Sequence, residues 1–208
     1  MAELIQGVFP EGGKSNAKQD DKSAPSYLLH ISITFSDPLI WRRIRVPGKL
    51  TLAQLHHVIQ QSMGWQDTGM HQFTVGKISF EPTMSKGTIR ESKRFDENRH
   101  TLDSLEEGML FMFTYFYDAG DGWEHEIRLE KVIPPSQELK QSEIIAGEMN
   151  CPPEKAGDIH QYHDLQSAMG NPGDREANRL FELTGNGNFD PTFFDLKAAR
   201  QRLATLNY

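Results

Sequence analysis

Between positions 118 and 125 the chain brings together Asp118, Asp121, Trp123 and His125, flanked by runs of strand character. A histidine beside two carboxylates can serve as a general base oriented by an aspartate, or as a metal ligand. The same residues can brace a turn, because inward polar groups must find partners whatever their role. The bracing reading is preferred. A second set surrounds His56, which falls on an apolar helical stripe and is followed by Trp65, Asp67 and His71. His56, Asp67 and His71, joined by His125, are nitrogen and oxygen donors of the kind that hold zinc or iron. Their spacing matches no His-Glu-x-x-His element, so no metal site is assigned and no cofactor is named. If a metal is held, its candidate ligands are His56, Asp118, Asp121 and His125.

Trp41-Arg-Arg-Ile-Arg45 places three arginines on one strand. Alternation sets Arg42 on the face of Ile40, Ile44 and Val46, with Arg43 and Arg45 on the face of Trp41. An arginine on an apolar face calls for a carboxylate, and Asp118 or Asp121 are the candidates. Trp41, Arg43 and Arg45 together form a candidate nucleic-acid contact through stacking and charge. Cys151-Pro-Pro-Glu154 carries the single thiol in a stiff loop, with nothing beside it that would lower its pKa. There is no phosphate-binding glycine loop, Cys-x-x-Cys pair or Gly-x-Ser-x-Gly elbow.

The elements that must position these residues follow from periodicity. Residues 27–35 alternate, with Tyr27, Leu29, Ile31, Ile33 and Phe35 on one face, and 40–46 return after Asp37-Pro38 as the second strand of a hairpin. Thr51 caps a helix over 51–62 whose stripe is Leu52, Leu55, His56, Ile59 and Met63, ended by Gly64. Short strands are expected at 71–75 and 77–80, an irregular polar excursion at 81–100 and a helical turn at 101–105. The run 109–117 is apolar on both faces and belongs in the middle of a sheet. Residues 123–132 alternate, pointing Trp123 and His125 inward. Beyond Pro134-Pro135, residues 136–160 read as loop, with helices at 162–169 and 174–183. Asp190-Pro191 reads as the cap of a last helix burying Phe193, Leu196, Ala199 and Leu203.

This predicts an α+β protein in three parts. Residues 1–26 form a disordered leader, 27–135 a mixed sheet crossed by one helix in an order that resembles the β-grasp plan, and 136–208 a mainly helical segment packed on that core. The chain has 208 residues, a formal charge of -7 and one cysteine. The charge disfavours broad nucleic-acid binding, which needs basic surface to displace counterions. A lone cysteine, no signal-peptide pattern and no apolar run of spanning length point to a cytoplasmic protein without a membrane partner.

Four ordered blocks carry a resemblance. Pro38-Leu-Ile-Trp-Arg-Arg43; Leu55-His56-x-x-Ile59 with Gly64-Trp65-x-Asp67 and His71-x-Phe73; Tyr117-Asp-x-Gly-Asp121-x-Trp123-x-His125; and Cys151-Pro-Pro-Glu154 with Gly157 and Tyr162 resemble the plasmid pRiA4b ORF-3-like family. Ala119 stands where that family carries phenylalanine, and Lys155 where it carries an acidic residue. Its members are labelled TnpR-like passenger proteins of insertion elements. The preferred reading is a non-enzymatic binding or adaptor module for an unknown ligand or protein partner, which the resemblance links to mobile elements, with Arg42, Arg43, His56, Trp65, Asp67, His71, Asp118, Asp121, Trp123, His125, Cys151 and Glu154 as its binding or structural polar cluster. A metal-dependent hydrolase using the His/Asp cluster and a DNA-binding accessory protein of transposition are the alternatives.

Overall fold

The computed structural model describes residues 24–82, 93–105, 112–118, 122–135, 139–169, 171, 173–184 and 189–208. Most of the expected leader, and Asp121, lie outside them. The alternation of Tyr27, Leu29, Ile31 and Ile33 produces β1 (Ser26–Ile33), with all four of these side chains fully buried. The hairpin returns it as β2 (Trp41–Pro47), in a register that sets Leu29 opposite Ile44 and Ile31 opposite Arg42.

Helix α1 (Leu52–Met63) starts where Thr51 was expected to cap it. The Thr51 hydroxyl accepts the Gln54 amide while the Gln54 side chain accepts the Thr51 amide, a reciprocal box that satisfies two orphan donors. It stops at Gly64, whose φ of 89° is left-handed and strained for any residue with a Cβ.

The remaining strands are β3 (His71–Val75), β4 (Ile78–Glu81), β5 (Lys93–Asp96), β6 (Met112–Tyr117), β7 (Trp123–Ile133) and β8 (Glu143–Glu148). They form one sheet in the order β5-β4-β3-β6-β7-β1-β2-β8, antiparallel throughout except for β4 with β5. The fold is α+β, with a mixed eight-stranded sheet, one internal helix and C-terminal helices α2 (Ile159–Ser167), α3 (Arg175–Thr184) and α4 (Leu196–Leu203). α1 lies against the sheet face that carries Leu29, Ile31, Phe73, Tyr115 and Ile127, and α4 packs on both α1 and β8. Trp41, Arg43, Glu126, Arg128 and Glu130 project from the opposite face. No helix among the described residues is long and apolar enough to cross a membrane.

Several expectations are corrected. Residues 81–100 contribute β5, and 136–160 contribute β8, the two outer strands of the sheet. Asp190 does not open a helix: its carboxylate accepts the Thr192 amide and hydroxyl in a local turn. The last helix begins later, where the Asp195 side chain accepts the Ala198 amide. Ala199 and Leu203 are buried as expected and Leu196 is partly so, but Phe193 is exposed because it precedes the helix.

Candidate functional site

The C-terminal half of α1, the loop 64–70 and one end of the β3–β6–β7 sheet meet at a polar pole. His56 is buried at its centre, with its side chain only 2 % exposed. Its Nδ1 lies 2.7 Å from the Tyr115 hydroxyl, which also accepts the Gln60 amide at 2.9 Å. One face of the imidazole stacks on His71, with centroids 3.5 Å apart and planes within 6°. His71 in turn sets Nε2 between the two oxygens of the buried Glu97, at 3.0 and 2.9 Å. At its outer edge, His56 Nε2 approaches Asp67 Oδ1 to 2.8 Å. That contact lacks hydrogen-bond alignment, and Nε2 has no other hydrogen-bond partner among the described residues. The second Asp67 oxygen is 3.5 Å from His57 Nδ1, with the His57 and Asp67 side chains 54 % and 36 % exposed.

Asp67 is placed there by the loop, and the loop is held by Glu154. One Glu154 oxygen accepts the Gln66 amide at 2.8 Å, and the other accepts the Thr68 amide and hydroxyl at 3.0 and 2.9 Å. The Tyr117 hydroxyl donates to the same carboxylate and accepts the Thr68 and Gly69 amides at 2.8 and 3.1 Å. Trp65 fixes the start of the loop: it stacks on Tyr117, meets Trp123 and donates Nε1–H to the Pro152 carbonyl at 2.9 Å. Asp67 itself takes a left-handed φ of 59°, a conformation Asp tolerates better than most residues, and donates its amide to Gln60 Oε1.

Burial governs the protonation of this region. It lowers the His56 pKa to about 4, helped by the neighbouring His71, so the ring is neutral near pH 7. Burial, then the Glu154 carboxylate, pushes Tyr117 up to about 12. Burial also raises the Cys151 thiol to about 12, which leaves it protonated and inert.

In the turn that the sequence singled out, the described contacts are made by Asp118, Gly122 and His125, while Asp121, the other expected brace, lies outside the described residues. Asp118 is exposed, adopts φ 64° and donates its amide to the Met70 carbonyl at 2.7 Å, tying the turn to the loop 64–70. Gly122 is required by close approach, since a Cβ there would lie 1.8 Å from the Asp118 carbonyl oxygen. His125 is fully buried and donates Nδ1–H to the Tyr115 carbonyl at 3.3 Å. Its Nε2 has no hydrogen-bond partner among the described residues, and burial lowers its pKa to about 4. Among the described residues, Asp118 pairs with neither His125 nor Arg42.

Arg42 is inward, as alternation required, and among the described residues carbonyls rather than a carboxylate receive it. Its guanidinium donates to Ser62, Trp41 and Glu148 carbonyls at 3.2, 2.7 and 2.8 Å and lies 3.8 Å over the Phe194 ring. Arg202 donates to the Gln61 carbonyl at 3.0 Å. Two cations thus cap the C-terminus of α1, a helix with no basic residue in its own last turn. On the open face of the sheet, Trp41 stacks on His30, Arg43 forms a bidentate pair with Glu130 at 2.6 and 2.8 Å, and Arg45 reaches Ser26.

Of the residues named from sequence, the pole brings together His56, Trp65, Asp67, His71, Trp123, His125 and Glu154. Cys151 sits behind it, and Arg43 is remote on the other face. Reasoning from sequence missed His57, Gln60, Glu97, Tyr115 and Tyr117 as members. The apolar stripe put His57 on the solvent side, which is where a donor facing an external ligand must lie.

Residues 25–198 match the family model described as plasmid pRiA4b ORF-3-like protein. The chain belongs to this family. Each of the four sequence blocks of this pRiA4b ORF-3-like chain sends residues to the pole: Arg42 caps α1, Trp65 and Asp67 enter from the loop, Tyr117, Trp123 and His125 stand at the sheet end, and Pro152 and Glu154 close it. A similar chain is the uncharacterised protein y4hQ of Sinorhizobium fredii, 27 % identical over 165 residues that cover 78 % of this chain and 82 % of the relative. The crystal structure of the protein of unknown function MM3350 from Methanosarcina mazei Go1 superposes with a TM-score of 0.73 at 28 % identity, covering 84 % of this chain and 96 % of that one.

Proposed function

We propose that this pRiA4b ORF-3-like chain is a binding or adaptor module, acting in the cytoplasm in the setting of mobile elements, and that it engages its ligand at the pole where His57 and Asp67 reach solvent. One observation carries the reading: the Glu154 carboxylate, the group best suited to acid–base work there, is saturated by four donors from the loop and Tyr117. A carboxylate so held is a structural anchor, because taking up a proton would sacrifice several charge-assisted bonds at once. Glu97 is likewise committed to His71, and the Cys151 thiol stays protonated. The pole is therefore built as a rigid frame presenting two polar side chains, which suits recognition.

A thermal-shift screen of small polar ligands on the purified chain tests this. A ligand that raises the Tm, loses its effect in His57→Ala and is recovered chemically unchanged by mass spectrometry supports a binding module. Conversion of the ligand to product during the incubation refutes it.

A further inference from the structure

Three donor atoms converge at the solvent edge of the pole: His56 Nε2, His57 Nδ1 and an Asp67 carboxylate oxygen, all within 4.8 Å of one another. On a four-coordinate zinc with ligand bonds of about 2.0–2.1 Å, two donors stand about 3.3 Å apart. The nearest separations to Asp67, 2.8 Å from His56 Nε2 to Oδ1 and 3.5 Å from His57 Nδ1 to Oδ2, fall on either side of that value. We propose that this site binds one divalent transition-metal ion, of the zinc or cobalt class, through His56 Nε2, His57 Nδ1 and Asp67. The proposal rests on the reading of this pole as the ligand-facing site and names the ligand class.

The state of His56 supplies the second, independent observation. Its Nε2 is buried, faces Asp67 and makes no aligned hydrogen bond among the described residues. A ring nitrogen 2.8 Å from a carboxylate oxygen is repelled unless a proton or a cation sits between them. The Tyr115 hydroxyl faces Nδ1 while accepting the Gln60 amide, and the ring tautomer sets whether it donates to Nδ1 or accepts from it. When Nδ1–H donates to that hydroxyl, Nε2 is left as a lone pair aimed at the edge where Asp67 and His57 lie. This is the relation by which a partner on the far ring nitrogen fixes the tautomer of a metal-ligating histidine. Two imidazoles and one carboxylate select a borderline metal over magnesium or calcium. Three protein ligands with an exposed fourth side describe an open site, able to exchange a solvent ligand, and differ from a closed structural centre.

Titration of the full, tag-free chain with cobalt(II) chloride alone tests the site. One Co2+ per chain is expected, with the intense visible absorption of a four-coordinate centre. His57→Ala and Asp67→Asn, both partly exposed positions, should abolish that absorption while leaving the Tm of the metal-free protein unchanged. Tyr115→Phe keeps all three ligands and should weaken binding roughly 10- to 100-fold. Absence of binding, or binding indifferent to His57→Ala and Asp67→Asn, overturns the proposal. If cobalt fails while a screened organic ligand still depends on His57, the metal falls and the binding-module reading stands. If cobalt binds as expected but a screened ligand is turned over, the metal stands and the reading of a non-catalytic module falls.

Discussion

Glu154→Gln is the most informative single perturbation, because it keeps size and shape while removing the charge that holds the loop 64–70. In the native protein the two Glu154 oxygens accept the Gln66 amide, the Thr68 amide and hydroxyl, and the Tyr117 hydroxyl. An amide side chain must turn its NH2 toward one set of these donors, so at least one backbone N–H is left facing another donor. Hydrogen bonds to a charged group contribute about 1.5–3 kcal/mol each, and partial exposure places this case toward the low end, so a loss of about 2–3 kcal/mol is expected. For a chain of this length that lowers the Tm by about 4–12 °C. The pH dependence gives an internal control. Burial raises the Glu154 pKa, but the bonds from Tyr117, Thr68 and Gln66 outweigh it, and the net shift is downward. A carboxyl whose folded pKa is depressed contributes its stability above its unfolded pKa of about 4.3 and loses it as pH falls through the folded value. The Tm gap between wild type and Glu154→Gln, followed by circular dichroism, should be widest at pH 7 and shrink below about pH 4. A variant with wild-type Tm at pH 7, or a gap that persists unchanged into acid, refutes the anchoring role.

Arg42→Lys should cost about 3 kcal/mol in urea denaturation, since one ammonium cannot satisfy the three carbonyls and the Phe194 ring that the planar fork serves. Cys151 should resist a thiol reagent in the native chain at pH 8 and react once urea unfolds it, because burial holds its pKa near 12. His125 ionises at 6.5 when unfolded but at about 4 when folded, so the unfolded chain takes up the extra proton and stability falls as pH drops from 6.5 toward 4. His125→Phe should flatten that limb of a Tm-against-pH curve, and an unaltered slope would count against a neutral buried ring.

Strands with a buried face were legible because burial imposes alternation: Tyr27 to Ile33 and Trp123 to Ile127 each declare their inward side. The outer strands were not. Lys93-Arg-Phe-Asp96 and Glu143-Ile-Ile-Ala-Gly-Glu148 pair along one edge only, and β8 meets β2 through an irregular register between Arg43 and Ile44, so neither keeps a clean period of two. Asp190-Pro191 has the composition of a helix start, yet the Asp190 carboxylate is consumed by Thr192, and the start passes to Asp195. At the pole, alternation correctly turned Arg42 and His125 inward but could not name their partners. Both are received by main-chain carbonyls, which every residue possesses and no sequence pattern advertises.

The two guanidiniums on the end of α1 have a consequence for synthesis. Arg42 arrives early in the chain, but Arg202 and the Glu154 that clamps the adjoining loop come from its last third, and β8 joins β2 from about a hundred residues away. Contacts of such long sequence separation form late, after their loop-closure entropy has been met. A nascent chain arrested before α4 can complete the β1–β2 hairpin and α1, yet it leaves the Gln61 carbonyl uncovered. Until α4 emerges from the ribosome, the polypeptide has a hydrophobic sheet but no finished pole.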